Sequence, residues 1–369
     1  MDLLSAGSRR QLLEALVSDA ELDALLVGDL VRPGDSGPDA IANVRWLTGF
    51  SGTSGFAIVG PGRSEFLTDF RYTERAADEV ADEFERITVE GRMLAELASR
   101  LRGRVGFDDA ATSVRSLAKL TEAVGEEAEL VPTNGLVERL RRTKDKAEIA
   151  AIAEASRLAD EVFEWIAGSR LAGRTEREVA LAAESRMREQ GAEPSFPAIV
   201  AAGPNGALPH AEPSEREIGQ AELVVIDMGA KLDGYCSDGT RTFASGEPHS
   251  DAREVYELVQ RAQALGLEAV RAGVGGAEAD AVSRAPIEAA GHGERYGHGL
   301  GHGVGLEVHE APRLGKTSED VLAVGDVVTV EPGVYVPGSF GVRIEDLVVV
   351  EDGGVRNLSQ TPKDLLVTG

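Results

Sequence analysis

The sequence predicts a two-domain α/β (α+β) protein, on three observations. The chain has 369 residues, more than one ordinary core accommodates. Its first ~135 residues alternate short apolar segments with stretches of helical spacing, the pattern of a sheet covered by helices. Beyond that point, helices followed by an acidic hairpin occur twice.

Taken in order, ALLVG (24–28), VRWLTGF (44–50), GFAIVG (55–60), EFLTD (65–69), RITVE (86–90) and RVGFD (104–108) read as strands. TERAADEVADEF and MLAELASRLR read as helices between them. GFSGTSG (49–55) is a turn-rich break and no phosphate loop, because no Gly-Lys-Ser/Thr follows it. LVERLRRTKDKAEIAAIAEASRLADEVFEWIAG then reads as one long amphipathic run ended by Gly168. Its basic stretch RLRRTKDK is expected to be a solvated helix or linker. These readings give a first domain at 1–135, a linker at 136–145 and a second domain at 146–369. The second contains a helix (175–190), a strand (197–203), a hairpin around 223–244 and helices at 251–272 and 277–290. A histidine- and glycine-rich segment and a hairpin around 326–350 complete it.

The formal charge is −25. It argues against a nucleic-acid partner, whose binding is driven by Lys and Arg releasing counterions. Only six of the 38 basic residues are Lys. An acidic, Lys-poor surface is expected of a halophilic protein, where salt screens the self-repulsion. No run of about 18 apolar residues occurs, and MDLLSAGSRR lacks a signal-peptide core. A cytoplasmic protein without membrane contact is the expectation. The single cysteine, Cys236, excludes an intramolecular disulfide framework and suits a reducing compartment.

Two hairpins carry the chemistry. ELVVIDMGAKLDGYCSDGTRTF turns at LDG, which sets Asp227 and Asp238 near-opposite on adjacent strands. VVTVEPGVYVPGSFGVRIEDLVVV turns at PGSFG, with Glu331 and Glu345 symmetric about it. Like charges facing each other in an apolar sheet are destabilising, so buried carboxylates need cations or protons. Neutralisation by Arg241 and Arg343 would serve one hairpin, but hardly both. Four carboxylates and an imidazole are the inventory for two divalent cations and metal-assisted hydrolysis. The oxygen-rich shell favours Mn²⁺, with Co²⁺ or Zn²⁺ tolerated.

The imidazole comes from YGHGLGHGVGLEVHE (296–310), which holds His298, His302 and His309. Its glycines disfavour a helix, so a strand or extended loop is expected, with thin backbone that lets substrate come close. His298 and His302 then share one side of the chain, and spacing alone does not choose the ligand.

These blocks, with IVAAGPNGALPHAEPSER, TVEPGVYV and LTGFSGTSGFAIV, resemble in order the signature segments of the pita-bread-fold metallopeptidases. That group includes methionine aminopeptidase, aminopeptidase P, prolidase and creatinase. The resemblance implies a creatinase-like α/β domain followed by a pseudo-twofold pita-bread domain. It also implies a dinuclear site of Asp227, Asp238, His302, Glu331 and Glu345, with Asp238 and Glu345 bridging. His309 would contact the scissile carbonyl and His210 the substrate, while His298 would line the pocket. Tyr335 and Arg343 would support the ligands, with Arg343 also binding substrate, and Glu331 would handle the nucleophile's proton. Glu307 stands where the family often has Asp, at no ligand position; His249 and His292 match no motif, and Cys236 is given no catalytic role.

The N-terminal domain of ~135 residues favours enzymes that cleave before proline. An Xaa-Pro bond is a tertiary amide without an N–H and fits poorly in general protease clefts. The implied reaction is hydrolysis of peptides or dipeptides with proline at the second position, through a metal-bridging hydroxide. In such enzymes a neighbouring subunit's N-terminal domain limits access, so a homodimer is implied. Two alternatives are a catalytically silent pita-bread interaction module and another aminopeptidase of the fold.

Overall fold

The computed structural model describes residues 6–28 and 42–368. They form two compact units, one ending at Arg141 and the other beginning at Arg142. The first is built on a six-stranded sheet, in the order Glu85–Val89, Arg63–Asp69, Gly55–Gly60, Ala24–Val27, Gly103–Phe107, Ala128–Pro132. The two steps on either side of Gly55–Gly60 are antiparallel. The other three steps are parallel, and helices connect the strands of the two outer ones. Leu26, Ile58, Leu67 and Val105 from the sheet pack against Leu97 and Leu120 from helices Met93–Arg100 and Val114–Val124, and against Leu101 at the end of the first.

One expected strand is absent. VRWLTGF begins as the helix Ala42–Thr48. Val44, Trp46 and Leu47 are all buried there, so no polar face betrays a helical period. Its branched and aromatic residues favour strands by propensity, and tertiary burial overrides that preference. The edge strand Ala128–Pro132, half exposed, was not anticipated either.

The long amphipathic run is likewise two helices, Leu136–Arg142 and Lys146–Ala167. Asp145 accepts the N–H groups of Ala147 and Glu148, and the Glu148 carboxylate accepts from the Asp145 N–H. This reciprocal capping box starts a new helix.

The second unit repeats one plan. Helices Lys146–Ala167 and Glu176–Glu189 cover the antiparallel strands Ile199–Ala202, Leu223–Asp227 and Thr240–Ala244. Helices Ser250–Ala269 and Gly276–Ala289 cover a five-stranded sheet containing Gly301–Gly303, Val327–Val330 and Asp346–Glu351. Register then delivers the acidic residues. Asp227 pairs with Thr240, which leaves Asp238 two residues nearer the turn. Val330 pairs with Asp346, so Glu331 and Glu345 leave their strands side by side. The inner turn of the first hairpin has Asp233 and Gly234 at φ 47° and 81°, the left-handed pair of a tight hairpin. Among the described residues, no helix is long and apolar enough to cross a membrane.

Candidate active site

The strand ends open into a cavity of about 780 Å³, lined by Asp227, Asp238, His302, Glu331 and Glu345 together with His210, His298, His309 and Arg343. Tyr335 stands just behind this wall and reaches it through hydrogen bonds. Every residue expected at the site from sequence is therefore brought to one place. His249 is not among the cavity residues, and His292 lines a different depression.

The histidine segment is not helical, as expected; His302 lies in the strand Gly301–Gly303, and 305–309 bend away from it. Its glycines have another physical reason than the one expected. A Cβ at Gly301 would lie 2.0 Å from the Thr329 carbonyl oxygen, and one at Gly303 would lie 2.1 Å from that of Ala311. Neighbouring backbone, rather than substrate, is what these two glycines admit.

His302 Nε2 lies 3.3 Å from Glu331 Oε1 and 3.6 Å from Asp238 Oδ2. Its Nδ1 faces the Gly303 carbonyl at 3.1 Å, which leaves Nε2 for the carboxylates. Ligand atoms of Asp238, His302 and Glu345 all fall within 4.8 Å of one another. Thr240 donates to Glu345 Oε2 at 2.7 Å, and Thr329 donates to Glu331 Oε1 at 3.1 Å. Arg343 donates to Asp227 Oδ2 at 2.6 Å, to the Tyr335 hydroxyl at 2.8 Å and to Thr240 Oγ1 at 2.9 Å. The Tyr335 hydroxyl in turn lies 2.8 Å from His298 Nε2, whose Nδ1 lies 2.8 Å from the Gly299 carbonyl.

This crowding has electrostatic consequences. Burial, then the charge of Asp227, pushes Asp238 well above the carboxylate range. Burial, then Asp238, does the same to Glu345. Burial also raises Asp227, against the pull of Arg343. Burial opposes ionisation of Glu331 too, but its hydrogen bond and ion pair with His302 bring it down to about 2. Burial would lower His302, yet Glu331 and Asp238 lift it to about 9. Desolvation lowers both His298 and His309.

A divalent cation fits these side chains. Among the described residues, Asp227 Oδ1 is buried without a hydrogen-bond partner, an atom whose desolvation calls for a positive charge. Carboxylates forced to hold protons, beside an imidazole with Nε2 turned toward them, form an oxygen-rich set with one nitrogen. Asp227, Asp238, His302, Glu331 and Glu345 would hold the metal.

Several neighbours escaped the sequence reading. Thr240 and Thr329 orient the carboxylates, and only strand register reveals them. Arg313 pairs across the sheet with His302 and lines the cavity. Among the described residues its guanidinium makes no ion pair or hydrogen bond. The APR tripeptide at 311–313 carried no readable signal.

Residues 150–352 match the model of metallopeptidase family M24, and residues 9–143 match the creatinase/prolidase N-terminal domain. The chain belongs to metallopeptidase family M24. This M24 chain is 36% identical over 326 residues to the Xaa-Pro dipeptidase of Pyrococcus furiosus, across 88% of this chain and 92% of that one. Its structure resembles an Xaa-Pro dipeptidase from Bacillus anthracis, with TM-score 0.92 and 38% identity, covering 98% and 100% of the two chains. It also resembles an X-Pro aminopeptidase from Thermotoga maritima, with TM-score 0.87 and 32% identity over 96% and 99%. The M24 assignment makes the protein a metallopeptidase with a creatinase-type N-terminal domain and a pita-bread domain, the fold its sequence predicts.

Proposed function

We propose that this chain hydrolyses Xaa-Pro bonds with a pair of divalent cations, Mn²⁺ foremost, and that dipeptides are its preferred substrates. The observation that carries the reading is the convergence of four carboxylates and His302 on one cavity, with Asp227 Oδ1 lacking a hydrogen-bond partner among the described residues. When bound, the metals supply an activated water and a Lewis acid for the scissile carbonyl.

The protein's own groups perform the rest. Arg343, Thr240 and Thr329 hold Asp227, Glu345 and Glu331 in place, as outer partners of ligands generally do. Glu331 Oε1 takes a proton from the attacking water and passes it to the prolyl nitrogen as the bond breaks. His309 and His210, both accessible in the cavity, hold the oxyanion side and the substrate. Arg313 supports the dipeptide preference, since a cavity guanidinium opposite His302 on the neighbouring strand, unpaired among the described residues, suits a carboxylate one residue beyond the scissile bond. A longer peptide has no carboxylate there.

Residues 1–135 would form the N-terminal domain, 136–145 the link and 146–369 the catalytic domain, in a cytoplasmic homodimer. Hydrolysis of Ala-Pro and Ala-Pro-Ala with Mn²⁺ tests the reading. Turnover of Ala-Pro in preference to the tripeptide is expected, and its reversal would assign aminopeptidase activity instead. Failure to bind metal or cleave either peptide would leave the silent interaction module.

A further inference from the structure

We propose that Lys144 and Glu310 form a buried positioning pair that sets the place of the His309 ring; the idea rests on the role given to His309 above. His309 differs from the other two histidines of its segment. His298 is held at both ring nitrogens and His302 at Nδ1 by the Gly303 carbonyl. The His309 ring makes no hydrogen bond among the described residues, and its aromatic neighbour is His302, 4.4 Å away between ring centroids. Its position must therefore come from its backbone.

That backbone is closed by the next residue. Glu310 Oε1 accepts the Glu307 N–H at 3.0 Å, and the Gly305 N–H donates to the Glu307 carbonyl at 3.0 Å. Gly305 leaves room for the carboxylate, since a Cβ there would meet Glu310 Oε2 at 2.6 Å. Cys236 adds a bond from its N–H to the Gly305 carbonyl at 2.8 Å. The remaining Glu310 oxygen lies 3.0 Å from Lys144 Nζ, and the two side chains are only 1% and 7% accessible.

Lys144 is itself fixed. Its N–H donates to Gly325, Thr143 bridges to Asp326, and Asp145 begins the capped helix that follows. The ammonium is thus delivered at a defined point against the loop that ends in His309. A buried ion pair is a poor source of stability compared with apolar packing. What it supplies here is one arrangement of the 305–310 turn.

The test uses the full-length protein with ¹³C-labelled histidines and, separately, Mn²⁺ with Ala-Pro. The His309 ring resonance is identified by its loss in His309→Ala. In Lys144→Met it should shift while those of His298 and His302 stay, and Lys144→Arg should return it. Turnover by Lys144→Met should fall roughly 10–100-fold in kcat with KM changed less than about twofold. In a His309→Ala background the same substitution should cost nothing further. Glu310→Gln keeps the volume and the bond from Glu307, and it replaces Lys144→Met if that variant does not fold. An unmoved His309 resonance in whichever variant folds, or an equal kcat loss in the His309→Ala background, overturns the pair's role. Absence of Ala-Pro turnover in the unaltered protein overturns only the proposed function, because the ring shift is read without substrate.

Discussion

At the scale of single residues, the site is a set of charges that do not suit one another without a cation. His302 shows this with a sign that can be measured. Its folded pKa of about 9 lies above the ordinary 6.5, so it contributes stability that is complete below 6.5 and lost as pH rises through 9. The raised carboxyls of Asp238 and Glu345 act in the same direction, since folding favours their protonated forms. The Tm of the metal-free protein should therefore fall between pH 6.5 and 9. Added Mn²⁺ should raise Tm and flatten that slope by replacing the protons; a metal-free Tm that climbs across the window would contradict the crowded site. Arg343 makes a second case. Arg343→Lys keeps the charge but loses the fork that reaches Asp227, Tyr335 and Thr240 together. Calorimetry should find Mn²⁺ bound roughly 10–100-fold more weakly, and unchanged affinity would remove Arg343 from the support of the ligands. Glu345→Ala and His302→Ala should each abolish Ala-Pro hydrolysis while circular dichroism stays that of the parent. Normal turnover in either would refute the ligand assignment.

At the scale of elements, local signals and their failures have distinct causes. The two hairpins were legible because turn residues and alternating apolar residues are local. Their register was not: opposition of Asp227 to Thr240 rather than Asp238 depends on an inner turn at Asp233–Gly234. VRWLTGF misled because a helix buried at every position but Arg45 shows no period. Thr240, Arg313 and Lys144 were invisible because each acts on a partner from elsewhere in the chain, and Thr329, two residues from Glu331, carries no local mark of its bond to that carboxylate. The start of Lys146–Ala167 was written in the sequence as Asp145 with Glu148, but the surrounding basic residues obscured it. Asp145→Ala should cost about 1 kcal/mol in urea unfolding, the usual worth of such a cap. Gly301→Ala tests the close strands. Its methyl group would overlap the Thr329 carbonyl, and a loss of about 1–3 kcal/mol is expected from such overpacking. A variant as stable as the parent would show that the strands can separate freely.

At the scale of the whole molecule, the dominant quantity is charge. Of the 38 basic residues, 32 are Arg by subtraction of six Lys, against 63 acidic residues. Many of the arginines engage carboxylates, as in the Arg63–Glu65–Arg100 and Glu154–Arg157–Glu161 groups. The excess acid remains to repel itself, and salt relieves that repulsion. Tm and Ala-Pro turnover should both rise as KCl is increased from 0.1 M to about 2 M. Indifference to salt would leave the acidic composition without this explanation.

The row of bonds from Asp227 to Gly299 carries one further consequence. Arg343 can only donate, so the Tyr335 oxygen receives, and its own hydrogen has nowhere to go but His298 Nε2. The imidazole must then keep its proton on Nδ1, spent on the Gly299 carbonyl. From Arg343 one arrow points back to Asp227 and the others all point on toward Gly299, where both nitrogens of His298 are taken. This histidine has no lone pair for a cation and no N–H for a peptide. It meets the substrate as a flat carbon edge, and the polarity of its neighbours makes it so.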